Sequence, residues 1–356
     1  MEVSKIRNFK LFICAIVILL VCGCSERKTQ AESTQEKDNI FQLISDPTNL
    51  NQIDRYLDWN YISKIVKPSS DKEMAAFEKI KDGFSYGKLG LSSLPEDVLY
   101  GKTRSYSKGD FVHVVYEIFT GNEIQFIDFQ LDSVNNKIVD LFAYEIGESF
   151  INLVRNHVKT EDDNFDKLFI LSSEALKNGD IEKAWDYFLM IPDDLHNDYP
   201  YRPLKMSIAE YDPVLYDELV SQWQDDAFDF RYLDYLNYKK ALLNDEAESL
   251  LFYTDKLKET IGKSATLLAF EGYGLWLKGN SSEAFDKYED VIKIAPNHML
   301  GYSSKLDLLL LEGSEKEAIQ LIKSINNKFH LSNEDWNEIL IDHSDFLIEN
   351  SEIFGN

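Results

Sequence analysis

Residues 265–327 carry one pattern twice, 34 residues apart. Gly279 and Gly313 are separated by that interval, and so are Ala284 and Ala318. Each Gly stands five positions before its Ala, in Gly279-Asn-Ser-Ser-Glu-Ala284 and Gly313-Ser-Glu-Lys-Glu-Ala318. A fixed interval of about 20–50 residues marks a supersecondary unit that buries its apolar side only by stacking on a copy of itself. The chemistry of the spacing is local. A Gly ends a first helix by entering the left-handed conformation without a Cβ clash. Ser281 and Ser314 are the expected caps of the second helix. The small Ala marks the place where two helices cross closely.

These positions resemble a tetratricopeptide repeat. Gly272, Gly279, Ala284, Tyr288 and Pro296 fall on the Gly, turn-Gly, Ala, aromatic and helix-ending Pro of that family's pattern. Leu268 stands where an early Trp is usual and Glu271 where a Leu is common, and the second copy keeps only the Gly, the Ala and the apolar rhythm. The resemblance implies stacked antiparallel helix pairs whose first helices line a concave groove. Carried over, the groove-facing positions are Ala269, Tyr273 and Trp276, then Ser303, Asp307 and Leu310. Tyr273 and Trp276 are the candidate protein-binding anchors, because aromatic side chains dominate binding hot spots. The competing reading buries both against neighbouring hairpins.

The same rhythm extends in both directions, so residues 159–356 read as one TPR-like helical-hairpin solenoid. Gly179 and Ala184 repeat the five-residue spacing within a first hairpin, Asp163 to Ile191. Pro203 to Trp223 and Phe228 to Ile261 read as degenerate hairpins, the second with Asp245 in place of the turn Gly. Asn333 to Glu349, with Trp336 and Phe346, reads as a C-terminal capping helix over the open end of the stack. The acidic loop around His196 has no ordered ligand spacing, so no metal site is expected.

The start of the chain reads as an address. Lys5, Arg7 and Lys10 precede an apolar run of eleven residues from Leu11 to Val21, too short for an ordinary spanning helix. Val21-Cys22-Gly23-Cys24 then resembles a bacterial lipoprotein box, which implies cleavage after residue 23 and lipidation of Cys24. All three cysteines, Cys14, Cys22 and Cys24, lie in this region, so no disulfide framework or thiol chemistry is expected in the mature chain. Residues 24–38 are polar and read as a flexible tether. Ser25 after the Cys resembles an outer-membrane sorting signal, which places the protein, lipid-anchored, at the outer membrane.

Residues 39–158 read as an α+β domain. Ile40, Leu43 and Ile44, then Ile53 and Leu57, then Met74, Phe77 and Ile80 recur at helical spacing, with Asp71 as a candidate cap. From about Val98 the period switches to two. Phe111 to Phe119, Glu123 to Asp132 and Lys137 to Glu145 predict a curved antiparallel meander of three strands, with Tyr100 to Lys108 as a candidate fourth and a turn at Gly121-Asn122. Helix returns from Glu145 to His157. The plan is similar to cystatin-like and NTF2-like folds, in which a sheet wraps a helix. Phe126-Ile-Asp-Phe129, Ile138-Val-Asp-Leu-Phe-Ala-Tyr144 and Gly147-Glu-Ser-Phe150 also resemble stretches of hypothetical bacterial proteins that pair such a unit with helical repeats. Asp128 and Asp140 lie inside strands. The simplest reading is two solvent-facing residues; the alternatives are a paired acid–base site and a polar contact to the helical region.

A formal charge of −25 argues against nucleic acid and anionic lipid head groups as partners, and allows a basic protein segment. Signatures of catalysis are missing. The six histidines are scattered, with no His-Glu-x-x-His. Gly101-Lys102-Thr103 and Gly262-Lys263-Ser264 lack the upstream Gly of a P-loop, having Glu96 and Leu257 there. The expectation is therefore a membrane-anchored, non-catalytic protein–protein interaction scaffold without cofactors. The alternative is a small-molecule or lipid-binding protein with a pocket in the α+β domain.

Overall fold

Three short turns in the second half of the chain close in the same way, and a fourth repeats them with a different residue. Gly179, Gly279 and Gly313 take φ of 76°, 83° and 69°. At each, the N–H of the Gly reaches back to a carbonyl three positions earlier and the next N–H to one five earlier: Gly279 to Trp276 at 2.8 Å and Asn280 to Leu275 at 2.9 Å, for example. This paired closure ends a helix and reverses the chain. Asp245, with φ 54°, makes the same closure through Glu246 to Ala241 at 2.9 Å. Asp is among the few residues with a Cβ that tolerate this conformation.

The computed structural model describes residues 40–46, 53, 55–83, 99–119, 124–159, 163–197, 201–223 and 229–354. The expected lipoprotein signal with Cys24, the expected tether at 24–38 and the expected turn at Gly121-Asn122 lie outside the described residues. Among the described residues no helix is long and apolar enough to cross a membrane.

The first part contains helices α1 (Ile40–Leu43), α2 (Trp59–Val66) and α3 (Asp71–Gly83). Strands β1 (Leu99–Lys108), β2 (Phe111–Phe119), β3 (Ile124–Asp132), β4 (Lys137–Ala143) and β5 (Glu148–Ser149) follow, then α4 (Phe150–Lys159). The strands form one antiparallel sheet in chain order, β1-β2-β3-β4-β5. The sheet thus has five strands where three or four were expected. Glu148–Ser149 pairs with β4 before the helix starts at Phe150, and the stretch from Tyr100 to Lys108 is the expected extra strand. The Ser70 hydroxyl, not Asp71, accepts at the start of α3, from the N–H of Glu73 at 3.2 Å. Met74 is exposed rather than part of the core.

The sheet is covered on both sides. Val114, Tyr116, Ile118, Ile127, Phe129, Leu131, Ile138 and Leu141 pack on Ile44, Leu57, Ile62, Val66, Phe77, Phe150 and Val154 of the flanking helical segments. Val115, Phe119, Ile124, Phe126, Phe142 and Tyr144 pack instead on the second half of the chain. Double coverage explains why β2 and β3 are buried at nearly every position rather than alternately.

The described residues of the second half form helices: α5 (Asp163–Lys177), α6 (Ile181–Leu189), α7 (Tyr201–Ala209), α8 (Pro213–Trp223), α9 (Phe230–Leu243), α10 (Ala247–Ile261), α11 (Ala265–Leu277), α12 (Ser281–Ile294), α13 (Leu300–Leu311), α14 (Glu315–Phe329), α15 (Asn333–Ile339) and α16 (Ser344–Glu349). From α9 to α14 each helix packs on the next, and α11 also packs on α13. The small residues mark close crossings. Ala184, Ala284 and Ala318 are fully buried, and a Cβ at Gly272 would lie 2.6 Å from the Tyr288 ring. Glu271, out of pattern for a Leu, bridges Lys258 at 2.6 Å and Lys287 at 2.9 Å.

Two local expectations fail. Ser281 lies inside α12 and donates to Glu312 at 2.8 Å, and Ser314 precedes α14 without a side-chain cap bond. The paired closure of the turns already organises these helix starts. The C-terminal segment is not one helix: it breaks at Leu340 into α15, a 3-10 turn over Ile341–His343, and α16. The bend lets Trp336, fully buried and bonded to Asn326 at 2.7 Å, share a core with Phe354, whose ring lies 5.2 Å away.

Candidate functional site

Two places concentrate polar groups: the joint between sheet and helices, and the face of α11 and α13.

At the joint, Glu117 on β2 is 3% exposed and points at the start of α11. Its carboxylate accepts from Ser264 Oγ at 2.6 Å, Ala265 N at 3.0 Å, Thr266 N at 3.2 Å and Thr266 Oγ1 at 3.0 Å. The free N–H groups of a helix start favour an anion, and here the sheet supplies it. Ser264 Oγ in turn accepts from Leu267 N at 3.0 Å. Asp128 on β3, 2% exposed, accepts from Tyr106 Oη at 2.8 Å, contacts His113 Nδ1 at 3.1 Å and pairs with Arg231 of α9 at 3.2 Å. Arg231 is held by Asp229 at 2.8 Å and lies 3.7 Å over the Phe142 ring. Tyr106 stacks on His113 with centroids 4.7 Å apart. Burial and the Asp128 charge push the Tyr106 phenol well above its usual range, so it stays a donor. β1 closes the joint from its edge. Thr103 donates to the Ile261 carbonyl at 2.6 Å, Arg104 to the carbonyls of Glu259 and Thr260, and a Cβ on Gly262 would lie 2.5 Å from the Thr103 carbonyl oxygen.

Asp128 and Asp140 are not a solvent-facing pair. Asp140 lies opposite Gln130 in the register, which puts it on the same side of the sheet as Asp128. It accepts from Ile151 N at 3.0 Å, at the first turn of α4. Burial pushes its carboxyl up to about 6, partly offset by those N–H bonds and by Arg231. Asp128 makes the contact to the helical region and Asp140 closes a helix start. Neither lines the recess of about 180 Å³ that opens between Phe41, Ser45, Tyr100 and Tyr116.

On the helices, the six positions carried over from the repeat pattern divide. Ala269 is 5% exposed and belongs to the core shared with the sheet, so it does not face a groove. Tyr273 and Trp276 are half-buried, with ring centroids 5.7 Å apart at 33°. Tyr273 donates to Asp245 at 2.5 Å; burial first, then Asp245 and Asp307, push its phenol well up. Ser303 turns its hydroxyl back onto the Met299 carbonyl at 3.1 Å. Asp307 meets His343 Nε2 at 2.6 Å, and Leu310 packs into the C-terminal core. Tyr273 and Trp276 thus come together, whereas Asp307 pairs with His343, and Ser303 and Leu310 serve their own helix and core. The sheet touches the N-terminal part of α9 and α11 and the C-terminal end of α10. Tyr273 and Trp276 lie further along α11.

Sequence reasoning missed Glu117, Arg231, Tyr106 and His113. The one available signal was a Glu set in the apolar run Val114-Val-Tyr-Glu-Ile-Phe119. Among the described residues no group of three or more His, Cys, Asp and Glu is placed to hold a metal ion. No family model, curated protein or solved structure matches the chain.

Proposed function

We propose that the protein is a lipid-anchored envelope protein whose helical region, a tetratricopeptide-like solenoid, is a non-catalytic docking scaffold for another protein. The repeated turn closure, the packing of α11 on both α12 and α13, and the Gly272–Tyr288 crossing support the solenoid reading. The observation that carries the docking reading is that both faces of the sheet are consumed by internal packing. Recognition then falls to the helical row, where Tyr273 and Trp276 keep part of their rings in solvent. A ligand carrier built on Asp128 and Asp140 is disfavoured, because hydrogen bonds inside the molecule engage both carboxylates. The anchor rests on the Val21-Cys22-Gly23-Cys24 box and outer-membrane sorting on Ser25.

Crosslinking in native membranes followed by pulldown, comparing wild type with Trp276→Ala of equal helicity, tests the docking reading. A partner captured by wild type and lost from the variant supports it; equal recovery sinks it. Cys24→Ala tests the anchor, which predicts release of the protein from the membrane fraction.

A further inference from the structure

Several aromatic rings of this protein, buried and exposed, carry a lysine of the same chain. Lys328 lies 5.2 Å over Tyr302 and 5.6 Å over Phe329, Lys256 5.9 Å over Phe252, and Lys239 5.7 Å over Tyr235. Among the described residues no Lys or Arg lies over Tyr273 or Trp276. Both residues remain partly exposed, and their rings are tilted at 33° with centroids 5.7 Å apart.

The surroundings of the pair are negative. The exposed carboxylate of Asp245 holds the Tyr273 hydroxyl, and the charge of Asp307 acts on both Tyr273 and Tyr288. Nearby lysines are tied to other carboxylates: Lys258 and Lys287 to Glu271, Lys278 to Glu248 and Lys305 to Glu289. Asp307 faces His343 rather than one of these lysines. An aromatic pair edged by carboxylates attracts a cation twice, through the ring quadrupole and through charge. The chain's formal charge of −25 steers a positive partner toward it over longer range.

We infer that the Tyr273–Trp276 pair receives an Arg or Lys side chain from a basic segment of the partner protein, with the cation over the indole and its charge toward Asp245. This rests on the docking reading above and adds the chemistry of the occupant.

Fluorescence anisotropy with labelled ten-residue peptides on the folded protein tests it. One peptide carries Arg, a second Gln at the same places, a third Glu. The Arg peptide is expected to bind at least about tenfold tighter than the Gln peptide, since a desolvated cation–ring contact is worth about 1.4–2 kcal/mol or a factor of ten or more. Its binding weakens as salt rises. Trp276→Leu, which keeps an apolar side chain in the packing but removes the ring, removes this preference, and Asp245→Asn flattens the salt dependence. Equal binding of Arg and Gln peptides overturns the cation while leaving docking intact if both are lost in Trp276→Leu. Arg binding unchanged in Trp276→Leu also overturns it. Failure of the docking reading itself shows separately, as equal crosslinked recovery from wild type and Trp276→Ala.

Discussion

The carboxylate of Glu117 closes the start of the helix that begins at Ala265, 148 positions further along the chain. A strand from the sheet thus adds a carboxylate acceptor to the cap that Ser264 supplies from the helix's own flank. The sheet and the middle of the helical row share an apolar core across this contact. The protein behaves physically as one packed body at that junction, whatever the local patterns of its two halves.

Replacing Glu117 by Ala leaves buried N–H and hydroxyl donors at the head of α11 without their acceptor. Each such loss costs about 1–3 kcal/mol, so Glu117→Ala is expected to lower stability by about 3 kcal/mol. Urea denaturation reads this directly; an unchanged midpoint with an unchanged slope would show that the contact contributes nothing.

Asp128 and Arg231 form the second tie. Arg231→Ala leaves a carboxylate that is 2% exposed with, among the described residues, Tyr106 and His113 for partners. Stripping one member from a buried ion pair costs about 3–5 kcal/mol, less here because Arg231 keeps 21% of its side chain in solvent. A cycle through Asp128→Asn, Arg231→Ala and the double variant should give a coupling above about 1 kcal/mol. Additive losses would argue against a direct pair.

Asp140 is expected to make stability depend on pH. Its folded-state carboxyl sits at about 6 against an ordinary 3.8, because burial disfavours the charge. The folded protein therefore holds this proton where the unfolded chain has lost it, and stability falls as pH rises from about 4 to 6. Asp140→Asn fixes the neutral form while its amide oxygen can still accept from Ile151. It should stabilise the protein by about 1–2 kcal/mol at pH near 7, discounted for residual solvent contact, and the gain should vanish below about pH 4. A variant no more stable than wild type at neutral pH would contradict the burial argument.

Gly272→Ala should destabilise despite the better helix propensity of Ala. That propensity is worth about 1 kcal/mol, but the new methyl meets the Tyr288 ring at 2.6 Å, and overpacking costs about 1–3 kcal/mol. A net loss of about 1 kcal/mol would lower the melting temperature by a few degrees; a rise instead would mean that α11 and α12 are free to separate.

The helix pairs of the second half were legible because their signals are short-range. Gly179, Gly279 and Gly313, and Asp245 in their place, close turns with partners three and five positions away, and the spacing to Ala184, Ala284 and Ala318 follows from one crossing geometry. β1 and the full burial of β2 and β3 were less legible. Nothing within Phe111 to Phe119 says that both its faces will be covered, since the covering residues come from Ile44 and Phe77 on one side and from α9 to α11 on the other. Ala269 misled for the same reason: its place on the helix is right, but the sheet occupies the space a groove would need.

By itself the sequence determined the turns at Gly179, Gly279 and Gly313 and the course of β2, β3 and β4. Those features depend on backbone preferences and on bonds spanning a few residues. Only the tertiary structure decided which charges became internal. A carboxylate such as Glu117 or Asp128 is tolerable inside a protein only if donors surround it, and for each of them at least one donor arrives from a segment more than a hundred residues away.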